Sequence, residues 1–507
     1  MEDLVTVPEM LASTAANIEE IGSAISAANA SAAGRTTGLV AAAEDEVSAA
    51  IAKLFGGYGQ EYQAILTQAT AFHNEFTQTL AAAGNAYAQA EASNAAATSN
   101  AVGALGARIQ TLLGRTPIAS GSGGTSALTA MVNTASGDPL VALVMGGTAN
   151  PGPDLGYVQS IAQAYLLPRF PQLQLSNVFQ QFTPEQFWPV TPQLGNLTYG
   201  QSIAQGVGLL DNGIKAQLAQ GNNVVAFGYS QSAEIATDEI RALMAMGSGA
   251  PTSSQLSFVL IGDPNNPVGG LLERFPGFYI PFLDVAFGGA TPPNSPYPTA
   301  IYTIQYDGVA DAPQYPLHVT SDLNAFLGYF FEHGNNPFLT PTQVSNAVPL
   351  PTSPGYTGDT QYYMVMTQDL PLVQLIRDIP YAGPPIADIF QPDLRVLVDL
   401  GYGDIGTGFE YANVPTPAGL FSIPNPIAIT VDLAKGAVQG PYAAALDIGV
   451  EAGLLPPNTP LYPDTYPYVP SLDPHLHIFL GQPSVTGLSR LSGAVGRVLE
   501  LIPPPVF

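Results

Sequence analysis

The sequence predicts an α/β fold with a central, mainly parallel sheet, preceded by an all-α helical hairpin. Three observations point there. Short continuous apolar runs alternate with helical stretches from residue 138 to about 340, the pattern of strands buried on both faces and joined by crossover helices. The first 95 residues instead place apolar side chains at spacings of three and four, the period of an amphipathic helix. Between the two lies a stretch rich in Ala, Ser, Gly and Thr with no strong period, the composition of a linker.

Composition bounds the function. The 507 residues suffice for two or three domains with at least one sizeable core. The 13 Lys and Arg stand against 39 Asp and Glu, a net charge of −26. A surface that acidic repels phosphate backbones, so no nucleic-acid partner is expected. Only 10% of residues are charged and the mean hydropathy is +0.18, so part of the apolar surface is expected to be covered by a partner, a lipid or the chain's own loops. The absence of cysteine removes disulfides, thiolate metal sites and a Cys nucleophile. Met1-Glu2-Asp3-Leu4 lacks the basic and apolar regions of a secretory signal peptide. No apolar run approaches the roughly 18 residues of a membrane span. Any route out of the cytoplasm is therefore expected to carry a folded chain or use an unusual signal.

In chain order, Thr6-Val7-Pro8-Glu9 supplies a capping-box start. Leu11, Ala15, Ile18, Ile21 and Ile25 then form one stripe. The segment Ala33-Gly34-Arg35-Thr36-Thr37-Gly38 is expected to break that helix. A second stripe runs through Val47, Ile51, Phe55, Tyr58, Tyr62 and Ile65 to Phe72, Phe76 and Leu80, with Gly56-Gly57 marking a kink. A two-helix hairpin (residues 1–95) cannot bury both stripes by itself. It either packs on its own chain or docks another helical protein. Residues 96–137 read as the linker, with a short helical piece over 102–113.

The third region, 138–385, opens on the apolar run 140–145. A helix over 199–220 precedes the run 223–227, a helix over 232–246 follows it, and runs at 256–261 and 299–306 continue the series. Beyond 340 the chain is rich in Pro, Tyr, Gly and Leu, with periodic pieces as short as 394–400. Prolines such as Pro456-Pro457 and Pro503-Pro504-Pro505 oppose long regular elements. The extension 386–507 is therefore expected to be loops and short helices laid over the sheet, as a lid.

The chemistry sits between a strand and a helix. Gly228-Tyr229-Ser230-Gln231-Ser232 occupies the turn after the run 223–227, the setting of a nucleophile elbow in an α/β-hydrolase. Small flanking residues permit the sharp turn, and Ser232 stands where the common pattern has Gly. A bland turn that happens to contain Ser is the competing reading. The triad order Ser, acid, His confines the base to His318, His333, His475 and His477, since His73 precedes the nucleophile. His333, at the end of a helix over 321–331 and followed by Gly334, is preferred over His318. Asp307, the first residue past the run 299–306, is preferred as the acid over Asp311, and Asp263 reads as a turn residue. For the oxyanion, the amide of Gln231 opens the elbow helix. The loop Gly146-Gly147-Thr148 after the first strand offers a second donor from Gly147 or Thr148, with a simple glycine turn as the alternative. No metal or cofactor is implied.

These segments resemble known families. Residues 1–95 resemble the PE domain of mycobacterial PE proteins, through Pro8-Glu9, Asp45-Glu46-Val47-Ser48, Phe72-His73 and Tyr87-Ala88-Gln89-Ala90-Glu91. The resemblance implies a type VII secretion signal at Tyr87 and Glu91, a PPE-family partner for the hairpin, and a secreted or cell-envelope location. Residues from about 138 to 385 resemble the PE-PPE domain, a serine α/β-hydrolase related to cutinases and lipases. The resemblance rests on Gly146-Gly147-Thr148, the elbow, Gly262-Asp263-Pro264-Asn265-Asn266-Pro267 and Tyr306-Asp307-Gly308-Val309-Ala310-Asp311. Ala312 stands where Phe is common. This resemblance implies an esterase acting on short to medium acyl chains, with an acyl-ester or lipid substrate. An acyltransferase on the same scaffold, or a catalytically silent surface interaction protein, are the rival readings.

Overall fold

The structure, a computed structural model, describes residues 139–405, 410–460, 464–481 and 483–505, together with 29–38 and scattered positions between 19 and 78. Internal contacts divide the chain into two units, residues 1–133 and 134–507. In the first unit every described residue from 19 to 37 and from 48 to 78 is helical. The helix expected to break at Ala33 continues through Thr37, because Thr36 and Thr37 return their hydroxyls to the carbonyls of Ala32 and Ala33 (3.1 and 2.7 Å) instead of competing for a turn. A Cβ at Gly56 would lie 3.3 Å from the Thr37 carbonyl, so the second helical stretch comes close to the end of the first. The capping box at Thr6, the apolar positions of both stripes, His73, the Tyr87/Glu91 motif and the segment 96–137 lie outside the described residues.

The second unit is built on a seven-stranded sheet. Its strands are β1 (Leu140–Val144), β2 (Val178–Gln180), β3 (Asn223–Tyr229), β4 (Leu256–Ile261), β7 (Thr299–Ile304), β8 (Val348–Pro349) and β9 (Thr360–Val365), in the order β2-β1-β3-β4-β7-β9-β8. All pairs are parallel except β8 with β9. A separate two-stranded ribbon, β5 (Tyr279–Ile280) with β6 (Val285–Ala286), is antiparallel. Both faces of the sheet are covered. Val141, Leu143, Val224, Ala226 and Phe258 point into one core with the helices Tyr199–Ala219 and Gln231–Met246. Ala142, Val144, Val225, Phe227 and Val259 point into the other, with the helical segment Leu155–Ile161 and its continuation. That two-sided burial is why these strands read as unbroken apolar runs, each large side chain contributing about 1.5–3 kcal/mol. Strands β2, β8 and β9 had no such signature. In β9 buried Thr360, Tyr362 and Met364 alternate with more exposed neighbours.

The C-terminal region departs from its expected character. It forms three substantial helices, Gly383–Asp399, Pro426–Glu451 and Gly487–Leu499. The prolines are accommodated: Pro426 is the first residue of its helix, where the missing N–H costs nothing. Pro392 and Pro441 sit inside helices and remove one hydrogen bond each, an expense offset by close packing. Cβ atoms at Gly436 and Gly440 would overlap Asp393 and the backbone of Ile389, so the first two of these helices approach at glycine distance. The region is tied to the sheet by polar knots. Arg395 donates to the Tyr306 hydroxyl (3.0 Å), which donates to Asp399 (2.7 Å), and Tyr466 donates to the same carboxylate (2.9 Å). Arg274 donates to Thr416 and to the carbonyl of Ala312. Among the described residues no helix is long and apolar enough to cross a membrane.

Candidate active site

The parallel strands deliver their C-terminal ends to one edge of the sheet, and the loops following β1, β3 and β7 meet there. At the end of β3, Ser230 adopts φ 55° and ψ −118°, a conformation that side-chain-bearing residues rarely hold. The surrounding sequence explains why it is tolerated. A Cβ at Gly228 would come within 2.5 Å of the Ser232 carbonyl and 2.8 Å of the Ala233 Cα, so only glycine lets the helix fold back on the strand. Ser232, in place of a second glycine, closes the turn: its Oγ accepts from the Tyr229 amide (2.9 Å) and lies 3.2 Å from the Tyr229 carbonyl. The residue that departs from the commonest elbow pattern thus stabilises the elbow.

Ser230, His333 and Asp307 converge. His333 Nε2 lies 2.8 Å from Ser230 Oγ, and His333 Nδ1 lies 2.8 and 2.9 Å from the two Asp307 oxygens. His333 opens the 3₁₀ segment His333–Phe338 after the helix Val319–Phe331. Its ring is held between two tyrosines, Tyr229 at 5.3 Å and Tyr329 at 5.8 Å between centroids, both stacked. Tyr229 also donates its hydroxyl to the His333 carbonyl (2.9 Å). Asp307 is fully buried. Burial pushes its carboxyl up, but the neighbouring His333, the amide of Val309 (2.9 Å) and the Asn336 side chain (2.9 Å) outweigh it and hold the group below the usual carboxylate range.

The alternatives are placed elsewhere. Asp311 accepts from the Tyr306 amide (2.7 Å), and burial pushes it up to about 7. Asp263 accepts from the Asn265 amide within its own turn (2.9 Å) and from the hydroxyl of Thr291 on a separate segment (2.8 Å). His318 precedes the helix Val319–Phe331, next to Gly401. His477 sits beside Asp404, and His475 beside Asp473.

Opposite the elbow, the loop after β1 brings Gly147 against the Tyr229 ring, where a Cβ would sit at 2.7 Å. Thr148 Oγ1 donates to the Gln231 side-chain oxygen (2.9 Å), while the Gln231 amide nitrogen donates to the Gln186 carbonyl (2.9 Å) and Ser202 Oγ (3.0 Å). The Thr148 hydroxyl is therefore directed at the Gln231 side chain. The backbone N–H of Gln231, at the first position of its helix, has no acceptor within that helix. Ser230, His333 and Thr148 line a cleft of about 800 Å³ whose other walls include Phe187, Leu272, Ile280, Phe287 and Phe326. That size and apolar lining suit an acyl chain.

Asn336, Tyr229 and Tyr329 escaped the sequence reading. Asn336 follows His333 by three residues, but its link to Asp307 exists only because the 3₁₀ turn folds back. The tyrosine stack has no sequence signal at all.

The PE-PPE domain family matches residues 176–403, and the PE family matches residues 4–94. PE family protein PE3 of Mycobacterium tuberculosis is 56% identical over 505 residues, covering 99% of this chain and 100% of that protein. Esterase PE16 of the same organism is 44% identical over 446 residues, 88% of this chain and 77% of that protein. The uncharacterized PPE family protein PPE28, also from M. tuberculosis, is 44% identical over 329 residues, 64% of this chain and 49% of its own length. Among solved structures, a cutinase-like protein from Cryptococcus sp. matches at 18% identity and a TM-score of 0.24, covering 40% of this chain and 95% of that one.

Proposed function

The chain belongs to the PE family of mycobacterial proteins and carries a PE-PPE domain, and from that premise we propose that it is a serine esterase. Ser230 attacks the ester carbonyl, His333 takes the hydroxyl proton and returns it to the leaving alcohol, and Asp307 holds the imidazole in the tautomer that can do so. Backbone amides of Gln231 and of the Gly147–Thr148 loop receive the developing oxyanion. Water then repeats the sequence on the acyl-enzyme. The observation that carries this reading is the Ser230–His333–Asp307 contact chain, 2.8 Å at each link, opening on an apolar cleft. The relative at 44% identity that is named an esterase supports it.

The substrate is an acyl ester of short to medium length. Phe326 and Phe330, each 61% exposed, stand at the cleft mouth where an acyl chain would enter. The hydrolase domain begins near residue 138 and not at 176, because β1, which pairs with β2 on one side and β3 on the other, leads into the loop that holds Gly147 and Thr148. The N-terminal hairpin, with Tyr87 and Glu91, is the export signal and the docking surface for a PPE-family partner, and it directs the protein to the cell envelope or the medium.

Hydrolysis of a p-nitrophenyl ester series by the full chain, beside Ser230→Ala, tests the reading. The variant is expected to lose about 10⁴-fold or more in kcat. A folded wild-type chain with no turnover above the variant on any ester would overturn it.

A further inference from the structure

The helix Val319–Phe331 is oriented the opposite way from most surface helices, which turn their apolar stripe to the core. Here the small and polar residues Ser321, Asn324, Ala325 and Gly328 are the buried ones. Ser321 donates to the Val398 carbonyl (2.6 Å), and Asn324 accepts from the Leu372 amide (3.0 Å). Gly328 lies so close to the Tyr306 carbonyl that a Cβ would not fit. Val319, Leu323, Phe326 and Phe330, at spacings of four, three and four, form the outward stripe and are 48–75% exposed. Asp322 is the one charged residue of the helix. A continuous apolar stripe held in water marks a surface built to be covered.

The stripe is continuous with the cleft, and that continuity indicates what covers it. Phe326 and Phe330 belong to the stripe and also line the cleft. Val190 and Leu271, from two other segments, line the same cleft and are themselves exposed. Exposed Phe282 sits in the β5–β6 turn, between the cleft-lining Ile280 and Leu283, with its ring edge-on to Trp188 (6.2 Å between centroids). Four segments thus bring exposed apolar side chains to the rim of one apolar opening. A folded partner or a second copy seated on the stripe would bury Phe326 and Phe330 and close the mouth. A lipid surface seats the same residues and leaves the mouth facing the phase that holds acyl chains. We propose that the helix Val319–Phe331 docks this rim onto the surface of a lipid aggregate, lying in its plane with the outward stripe immersed, so that the cleft draws acyl esters from the lipid phase. The proposal rests on the esterase reading for what enters the cleft, whereas docking itself needs no turnover. Asp322 and the net charge of −26 oppose anionic headgroups, so the surface is a zwitterionic or neutral one.

Sedimentation of the full chain carrying Ser230→Ala with phosphatidylcholine vesicles tests docking apart from catalysis. The emission of Trp188, the only tryptophan of the chain and a neighbour of Phe282 on the rim, is expected to shift to the blue on binding. Val319 and Leu323 are exposed and lie outside the cleft lining, so Val319→Gln with Leu323→Gln removes half of the stripe without touching the catalytic site. That pair is expected to weaken vesicle binding at least about tenfold and to leave hydrolysis of dissolved p-nitrophenyl butyrate within about twofold. In the active chain, hydrolysis of p-nitrophenyl decanoate carried in the vesicles should fall with the binding. No sedimentation with phosphatidylcholine, binding that the pair leaves unchanged, or binding that requires added phosphatidylglycerol would each overturn the proposal. So would a dimer in solution that the same pair dissociates, since a second copy would then hold the stripe. Turnover of dissolved esters without vesicle binding would sink the docking face alone, and vesicle binding by a chain that hydrolyses no ester would sink the esterase reading alone.

Discussion

Asp307→Asn is the substitution whose outcome the geometry determines most tightly. In the wild type, Oδ1 accepts from the Val309 amide (2.9 Å) and Ala310 amide (3.3 Å), while Oδ2 accepts from Asn336 (2.9 Å), and both face His333 Nδ1. An asparagine has one oxygen to offer. The two backbone donors hold that oxygen at the Oδ1 position, and the new NH₂ then points at His333 and Asn336. Facing a donor, Nδ1 becomes the acceptor and the ring proton moves to Nε2, where it blocks removal of the Ser230 proton. The analogous change in other serine triads costs about 10⁴ in kcat, which is about 5.4 kcal/mol of barrier, and the same loss is expected here. The assay is p-nitrophenyl butyrate hydrolysis over a pH range, with circular dichroism to verify folding. Asp311→Asn is the matched control. Its carboxyl, pushed up to about 7, already carries a proton for much of the time near neutrality, so less than about a tenfold loss is expected. Retention of activity in Asp307→Asn together with collapse in Asp311→Asn would refute the reasoning and move the acid.

Three further outcomes are expected. Asn336→Ala removes a charge-assisted hydrogen bond to Asp307 without touching the cleft, so kcat should fall by about 1.5–3 kcal/mol of barrier, roughly 10- to 150-fold, with KM little changed; an effect confined to KM would contradict it. Gly228→Ala places a methyl 2.5 Å from a backbone carbonyl, and the urea midpoint should drop with a loss of about 1–3 kcal/mol or more; an unchanged midpoint would show that the elbow relaxes. Burial pushes Glu185 and Glu234 each up to about 8, against about 4.3 in an unfolded chain. Between these values the folded protein holds the extra protons, so unfolding free energy falls as pH rises. Tm should therefore be higher near pH 5 than near pH 8, and Glu185→Gln should flatten that slope; a Tm that rises over this interval would refute the assignment.

The local parts of the site were legible in the sequence because their physical demands fall on adjacent residues. A sharp strand-to-helix turn needs Gly228 before Ser230 and a small residue after it, and an approach to the Tyr229 ring needs Gly147; each requirement is met within a few positions of the chain. The four strands β1, β3, β4 and β7 were equally legible, since burial on both faces leaves an unbroken apolar run. The choice between Asp307 and Asp311 was different. They are four residues apart on one turn, with the same chemistry, and only the packing decides that one meets His333 while the other secures the amide of Tyr306. The long C-terminal helices were hidden for a related reason. Proline sets a local cost of about 3 kcal/mol inside a helix, and whether that cost is met depends on a second helix approaching at Gly436 and Gly440, which no neighbouring residue announces. Sequence by itself determined the elbow turn, the strands β1, β3, β4 and β7 and the chain order, where sterics act between neighbours; tertiary structure alone decided the partners, because buried hydrogen bonds join groups that only the folded chain brings within 3 Å.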